Sequence, residues 1–468
     1  MPNKNSTLKK TGELLNAFIS AGLLLAIAFT ALAFGTVEPW SIAVFNLLIL
    51  VLCLFWGGKC LIEGRLTLVI ASVAWPLMAL IGLAFLQTIA RADASGKWFA
   101  ISLDVEATRL TLETVAVLLT ALLLFSTFFA EAERLYWMRN FLVVFGLALA
   151  VFGLIQKFTW NGKYYWLIES SAPAEVPLGP FVNRNHFAGY LEMIAPIPVA
   201  LILSRAVRGE LSFFYGFAAA LMSVAVFVSL SRGGMISLLT GLLFVVAFGV
   251  KPAAERSGTR KLFGISPRFA AVVLIVLTVG GGVWWVAGDA VIERAQRTDL
   301  SAQARSGAGK ETFFQSRGWI WRDTAEMIRE NWLLGIGLGA YETAYFLYGK
   351  RDGSLIVSQA HNDYLQIMAD CGIVGGGLAI WFIAVFFRDL MRALGHRNEM
   401  MAGLALGCGA GAVAMLVHSL FDFNLQLPSN ALLFLVLTAV VSNIGSAAVG
   451  GKVGPALMNR AVRASLAA

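Results

Sequence analysis

The chain has 468 residues, 58% hydrophobic and only 14% charged, with a formal net charge of +8 and a mean hydropathy of +0.75. A soluble chain carries about 25% charged residues; this composition excludes a water-soluble globular domain, and repeated apolar runs of about 20 residues, enough to cross about 30 Å of hydrocarbon, define an all-α polytopic membrane protein. The runs are continuous rather than alternating, which excludes a β-barrel, and the basic residues fall in short loops between runs, which argues against nucleic acid as a partner.

In chain order, the basic, polar start Met1–Glu13 leads into an apolar run from Leu14 to Phe34. That run is too long for a signal-peptide core and has no clear cleavage site, so it reads as a retained first helix. Twelve spans are predicted in all, over 14–34, 40–56, 66–90, 108–130, 136–158, 186–204, 211–231, 233–250, 269–287, 371–390, 402–424 and 430–449. Pro76, Pro196 and Pro198 fall inside spans, which membrane helices tolerate. If the N-terminus is cytoplasmic and the spans alternate, inner segments hold 20 Lys and Arg against 7 in the short outer ones. Long inserts barely count in the positive-inside rule. The bias therefore predicts cytoplasmic termini and an outer location for the polar stretch Gly288–Asp370. The organisation expected is one integral domain: 1–287 with spans one to nine, 288–370 as a helical outer insert, and 371–468 with spans ten to twelve and a cytoplasmic tail.

The insert reads as a helix in which Arg317, Trp321, Ile328 and Trp332 recur near helical spacing, with its Trp residues as membrane-interface anchors. Gly335, Gly337 and Gly339 then break the run, and Tyr341–Tyr348 is a second short helix. His361-Asn362-Asp363 opens the helix that continues into the tenth span, with Asn362 or Asp363 as its cap. The four cysteines form neither a ligand spacing nor a disulfide framework.

Chemistry-bearing residues gather on the outer face of this map. Arg184 and Arg232 are cations where the charge bias disfavours them, which marks them as functional or paired; snorkelling to headgroup phosphates is the alternative. Guanidinium stays charged and grips phosphate bidentately, and Gly233 and Gly234 would permit close backbone approach of a diphosphate. Arg317 stands at a helix start, where a cation is unfavourable, so a role beyond solvation is expected. His361 at a helix start can take a proton from a hydroxyl nucleophile when its imidazole is neutral. Secondary candidates are His186, Glu192, which could hold an arginine in place, and the pair His418 and Asp422, which share a face at i, i+4 spacing. No metal site is predicted, because no paired carboxylates lie near the outer histidines, and no cofactor is expected. A secondary transporter of a small anion is the reading of another class; two related halves would mark it, and the sequence has none.

Gly179-Pro-Phe-Val-Asn-Arg-Asn-His-Phe-Ala-Gly-Tyr-Leu-Glu192, Ser231-Arg-Gly-Gly234, Arg317-Gly-Trp-Ile-Trp321, Gly335-Ile-Gly-Leu-Gly339 and His361-Asn-Asp-Tyr-Leu365 together resemble the O-antigen ligase and Wzy-type polymerase superfamily of bacterial membrane glycosyltransferases. The resemblance spans about Gly179 to Asn430, and order and spacing carry it rather than any one motif. It implies an enzyme of the bacterial inner membrane, with its active site and insert periplasmic. The donor would be a glycan on undecaprenyl diphosphate, met in the membrane lipid. The acceptor would be a hydroxyl of the lipid A core in a ligase, or of another glycan in a polymerase. Transfer would invert the sugar without a metal. His361 matches the family's catalytic histidine; Arg232 and Arg317, with Arg184 less securely, match its diphosphate-binding arginines.

Overall fold

The computed structural model describes residues 4–92, 98–169, 178–249, 277, 313–349 and 357–450. The helices in order are α1 Lys4–Leu32, α2 Pro39–Glu63, α3 Ala74–Gln87, α4 Val105–Phe128, α5 Ala132–Phe158, α6 Arg184–Ile194, α7 Pro196–Leu203, α8 Glu210–Val228, α9 Arg232–Gly249, α10 Phe313–Glu330, α11 Tyr341–Tyr348, α12 Asp363–Leu394, α13 Glu399–His418 and α14 Pro428–Gly450. Two-residue hairpins at 91–99 and 163–169 are the sheet among the described residues. The protein is thus an all-α polytopic membrane protein.

Ten described stretches are long and apolar enough to cross a membrane, with α6 and α7 forming one of them across Pro196. Two of the twelve expected spans account for the difference. The ninth, 269–287, lies outside the described residues apart from Leu277, as do the insert segments 288–312 and 350–356 and the tail 451–468. The third, expected over 66–90, is the 14-residue α3, which at 1.5 Å per residue is about 21 Å long. Pro76 sits in its first turn, where a proline is tolerated, but its ring would clash with the carbonyl four residues back and so stops the helix from starting earlier. The irregular chain before it is half-buried, and side chains of neighbouring helices take up its backbone donors, as membrane depth requires: Val69 N–H donates to Thr127 Oγ1 (3.0 Å) and Ser72 N–H to Ser442 Oγ (3.1 Å). α12 starts at Asp363 and runs through Cys371, with a kink at Gly372.

α13 is the central post. Gly403, Gly407 and Gly411 repeat at four-residue spacing, the small-residue ridge that lets membrane helices approach closely. A Cβ on Gly407 would stand 2.6 Å from Ile197 Cα, and one on Gly411 2.0 Å from Met193 O. That ridge locks α13 onto α6 and α7 and fixes the height of everything at its C-terminal end.

The insert has a small core of its own, in which Met327, Ile336, Tyr341 and Ala360 pack together. A clamp joins it to the bundle. The buried Gln87 amide donates to Leu334 O (2.7 Å) and Asp370 O (2.9 Å) and accepts from Leu338 N–H (3.0 Å). Gly337 lies in this clamp at φ +111°, where a Cβ would meet Ser102 Oγ at 2.3 Å. Positive φ and a blocked Cβ together admit only glycine there. Gly337→Ala is expected to cost about 1–3 kcal/mol, read as an earlier thermal unfolding midpoint in detergent. Gly57→Ala in α2, where a Cβ meets nothing within 4 Å, is expected to leave the midpoint unchanged or raise it.

Candidate active site

Five chain segments end at the same end of the bundle. α6 begins at Arg184, with Asn183 Oδ1 accepting from Asn185 N–H (2.8 Å). α9 begins at Arg232, with Ser231 Oγ accepting from Gly234 N–H (3.2 Å). Arg317 lies in the first turns of α10, His361 stands just before the Asn362 cap of α12, and Asp422 follows α13.

Asp422 ties three of these segments together. Its Oδ1 is 3.0 Å from His361 Nδ1, and its Oδ2 is 3.4 Å from Arg317 Nη2. Asn185 Nδ2 also donates to Oδ2, and Arg317 Nη1 donates to the neighbouring carbonyl of Phe421. Burial raises the Asp422 carboxyl, but the His361 hydrogen bond and the Arg317 charge outweigh it and hold the group well below the usual carboxylate range. Burial lowers Arg317, and Asp422 opposes that shift; a guanidinium remains charged at neutral pH. An ionised carboxylate only accepts, so Nδ1 of His361 carries a proton toward Asp422, and in the neutral tautomer that this bond selects the lone pair is on Nε2. The exposures fit this division: 1% for Asp422, 7% for Arg317 and 27% for the His361 side chain.

His361 is held in an uncommon backbone conformation, φ +50°, which costs free energy and persists only where the surroundings impose it. The chain on both sides is stitched down. Trp321 Nε1 donates to Ala360 O (2.9 Å), Asn362 Nδ2 to Leu420 O (3.0 Å) and Asp363 N–H to Ser419 O (2.9 Å). Asn362 is the α12 cap, its Oδ1 accepting from Tyr364 and Leu365 N–H. Trp321 therefore fixes the residue before His361, whereas the sequence marked it as a membrane anchor; Trp319 and Trp332 are the exposed tryptophans of that stretch.

The other expected residues distribute as follows. His418 and Asp422 do not pair, because α13 ends at His418 and the following turn takes Asp422 off the helical face. His418 Nδ1 instead meets Glu192 (2.9 Å), both fully buried. Glu192 thus holds a histidine, not an arginine. His186 is buried edge-on to the Phe423 ring, which stands in the same way to His361, each at 4.9 Å between centroids. Arg184 and Arg232 are half-buried. Gly233 and Gly234 leave no room for a ligand: a Cβ on Gly233 would lie 3.0 Å from the His418 ring and one on Gly234 2.6 Å from Ala188 Cβ. They serve helix packing, and the Gly233 contact brings Arg232 beside the Phe421–Asp422 turn. Sequence reasoning missed Asn185, Phe423 and Lys157. Lys157 donates to Val228 O (2.8 Å) and lies close enough to Arg184 for their charges to interact. A lysine at the outer end of the fifth span carried the same signal as Arg184.

A cavity of about 240 Å³ lies between α3, α4, α12 and α14. Its walls include Leu77, Val115, Leu378 and Phe382, and its polar margin includes Ser419 and Asp363, the latter two residues along the chain from His361. Among the described residues no group of three His, Cys, Asp or Glu could hold a metal ion.

An apolar cavity thus lies beside a histidine–carboxylate–arginine cluster at one end of the membrane bundle. Residues 217–382 match the family model described as O-antigen ligase (Wzy_C). The chain is also 22% identical over 269 residues to the exopolysaccharide production protein ExoQ of Rhizobium meliloti (strain 1021), covering 55% of this chain and 56% of that protein. The match thus takes in little more than half of the relative's length. Over these parts of its length the chain is similar to the O-antigen ligase family and to a protein of exopolysaccharide production.

Removing Asp422 leaves a buried guanidinium without its counter-charge. Asp422→Ala is expected to cost about 3–5 kcal/mol, read by thermal or denaturant unfolding in detergent. The pH dependence has a definite sign. A carboxyl depressed on folding stabilises the fold above its unfolded value of about 3.9 and loses that contribution as pH falls through the lower folded value. The contribution of Asp422 is therefore expected to be flat between pH 8 and 5, with the Ala variant's deficit unchanged across that window.

Proposed function

We propose that the protein transfers a glycan from undecaprenyl diphosphate to an acceptor hydroxyl at the outer, periplasmic face of the bacterial inner membrane, with both termini cytoplasmic. The observation that carries this is the Asp422-centred cluster of His361 and Arg317 with Arg232 beside it. The similarity of residues 217–382 to the O-antigen ligase family model supports it. A diphosphate is already a good leaving group, so it needs charge stabilisation rather than protonation. The acceptor hydroxyl is the poor partner and needs a base.

In this reading the acceptor hydroxyl gives its proton to His361 Nε2 as its oxygen bonds to the anomeric carbon. The bond from that carbon to the diphosphate oxygen breaks from the opposite face, which inverts the centre. The electron pair stays on undecaprenyl diphosphate, whose added negative charge falls to Arg317, Arg232 and Arg184. Asp422 holds the tautomer of His361 and stabilises the imidazolium that forms, until the proton passes to water. Charge stabilisation by positioned donors is commonly the largest catalytic contribution. The apolar cavity beside Asp363 is the proposed seat of the donor's hydrocarbon chain.

The acceptor we propose first is the lipid A core, as in a ligase. One observation favours a second acceptor: the Rhizobium relative is named for exopolysaccharide production, which points to a growing glycan. Deletion in the source bacterium separates them. Accumulated lipid-linked polymer with unmodified lipid A means ligase; short chains mean polymerase.

His361→Ala is expected to lower transfer by about 10²- to 10⁴-fold, the usual contribution of a general base, measured as undecaprenyl diphosphate released by protein in liposomes. Wild-type turnover from a folded His361→Ala protein would overturn the reading, as would uptake of a small anion by the same liposomes without glycan transfer. Ala379→Phe, which fills the apolar cavity, is expected to raise KM for the lipid-linked donor about tenfold, in the range of a small steric change in an apolar pocket, and to leave kcat within a factor of about 3.

A further inference from the structure

The backbone that aims His361 is held by a buried polar relay that reaches far from the reacting groups. Ala360 N–H donates to Gln366 Oε1 (2.7 Å). Gln366 Nε2 donates to both oxygens of Asp370, at 3.2 and 3.3 Å. Asp370 Oδ2 also accepts from Gly339 N–H (3.2 Å) in the glycine-rich loop. Gln366 and Asp370 are each 1% exposed. Ala360 is thus gripped at both polar atoms, its carbonyl by Trp321 and its N–H by Gln366, directly before the residue with the left-handed backbone.

We infer that Gln366, backed by Asp370, is a positioning residue for His361. It maintains the strained conformation that points the imidazole at Asp422, and it couples that geometry to the Gly335–Gly339 loop. This inference rests on the reading of His361 as the proton acceptor. The chemistry of the relay is directional. Position 366 must accept from a backbone N–H and donate to a carboxylate at once, which an amide does and an ionised carboxylate cannot. A second buried carboxylate facing Asp370 would also add like-charge repulsion.

The relay can be reversed without losing a bond, and that provides the test. In the double variant Gln366→Glu with Asp370→Asn, the carboxylate at 366 accepts from Ala360 N–H and from the new amide at 370. The amide oxygen at 370 then accepts from Gly339 N–H. The charge of the pair is unchanged. Full-length protein in liposomes would be assayed with an undecaprenyl-diphosphate-linked glycan and its acceptor glycan. Gln366→Glu alone is expected to lower kcat about 10- to 100-fold, the effect of an ångström-scale misplacement of a catalytic group, with KM for the donor within a factor of about 3. Gln366→Met, which breaks the relay without adding charge, is expected to behave in the same way if the charged variant does not fold. The double variant is expected to recover kcat to within a factor of about 3 of the wild type.

Wild-type kcat in Gln366→Glu or Gln366→Met, in a preparation where His361→Ala is inactive, overturns the inference and leaves the catalytic reading standing. A folded double variant no better than the single variant also overturns it. Wild-type kcat in His361→Ala overturns the catalytic reading and this inference with it.

Discussion

The site depends on one carboxylate that cannot leave the protein interior. Asp422 sits where α13 has ended and α14 has not begun, and it faces an arginine from the insert, a histidine from the start of α12 and an asparagine from the start of α6. Alone, a carboxylate at that burial would be expelled or protonated. Paired and hydrogen-bonded, it holds together three chain segments that lie far apart in sequence. A buried ion pair of this kind is weak evidence of net stability gain, since desolvation offsets much of the attraction. What it supplies is orientation: the histidine is held to one tautomer, and the guanidinium is held against the Phe421–Asp422 turn.

Orientation also explains the mixed architecture. The glycine ridge of α13 sets the height of the turn that carries Asp422. The Gln87 clamp pins the insert to α3 and α12, so that α10 delivers Arg317 to that turn. The bundle supplies rigidity and an apolar wall, the insert supplies the polar chemistry, and the site forms where the insert folds back on the bundle. Few of these contacts are themselves reactive; most hold a reactive group against its own conformational preference.

Much of this was legible in the sequence, and the reasons for the rest are physical. Apolar runs gave most of the spans, because hydrocarbon enforces helices. His361, Arg317 and Arg232 stood out because polar groups at a membrane margin require a reason. Asp422 was misjudged as a partner of His418, since i, i+4 pairing presumes an unbroken helix and α13 stops at His418. Glu192 could not be matched to His418 because the match depends on the register of α6 against α13, which steric fit at Gly411 decides. Trp321 read as an anchor, because an indole N–H aimed at a carbonyl 39 residues away leaves no local pattern. α3 read as a full span because hydropathy does not register where Pro76 starts the helix.

The sequence separation within the cluster has a consequence for how the protein is made. Arg317 and Asp422 are 105 residues apart, and ribosomes add about 5–20 residues per second. For roughly 5–20 seconds of every synthesis the guanidinium exists before its counter-ion does. A cation in that interval is stable only where water still reaches it, so the insert must wait at the aqueous margin and dock once α13 and the turn after it have been made. The finished pocket is therefore among the last parts of the molecule to close, and any nascent chain cut short before Asp422 carries an unmet charge that marks it as incomplete.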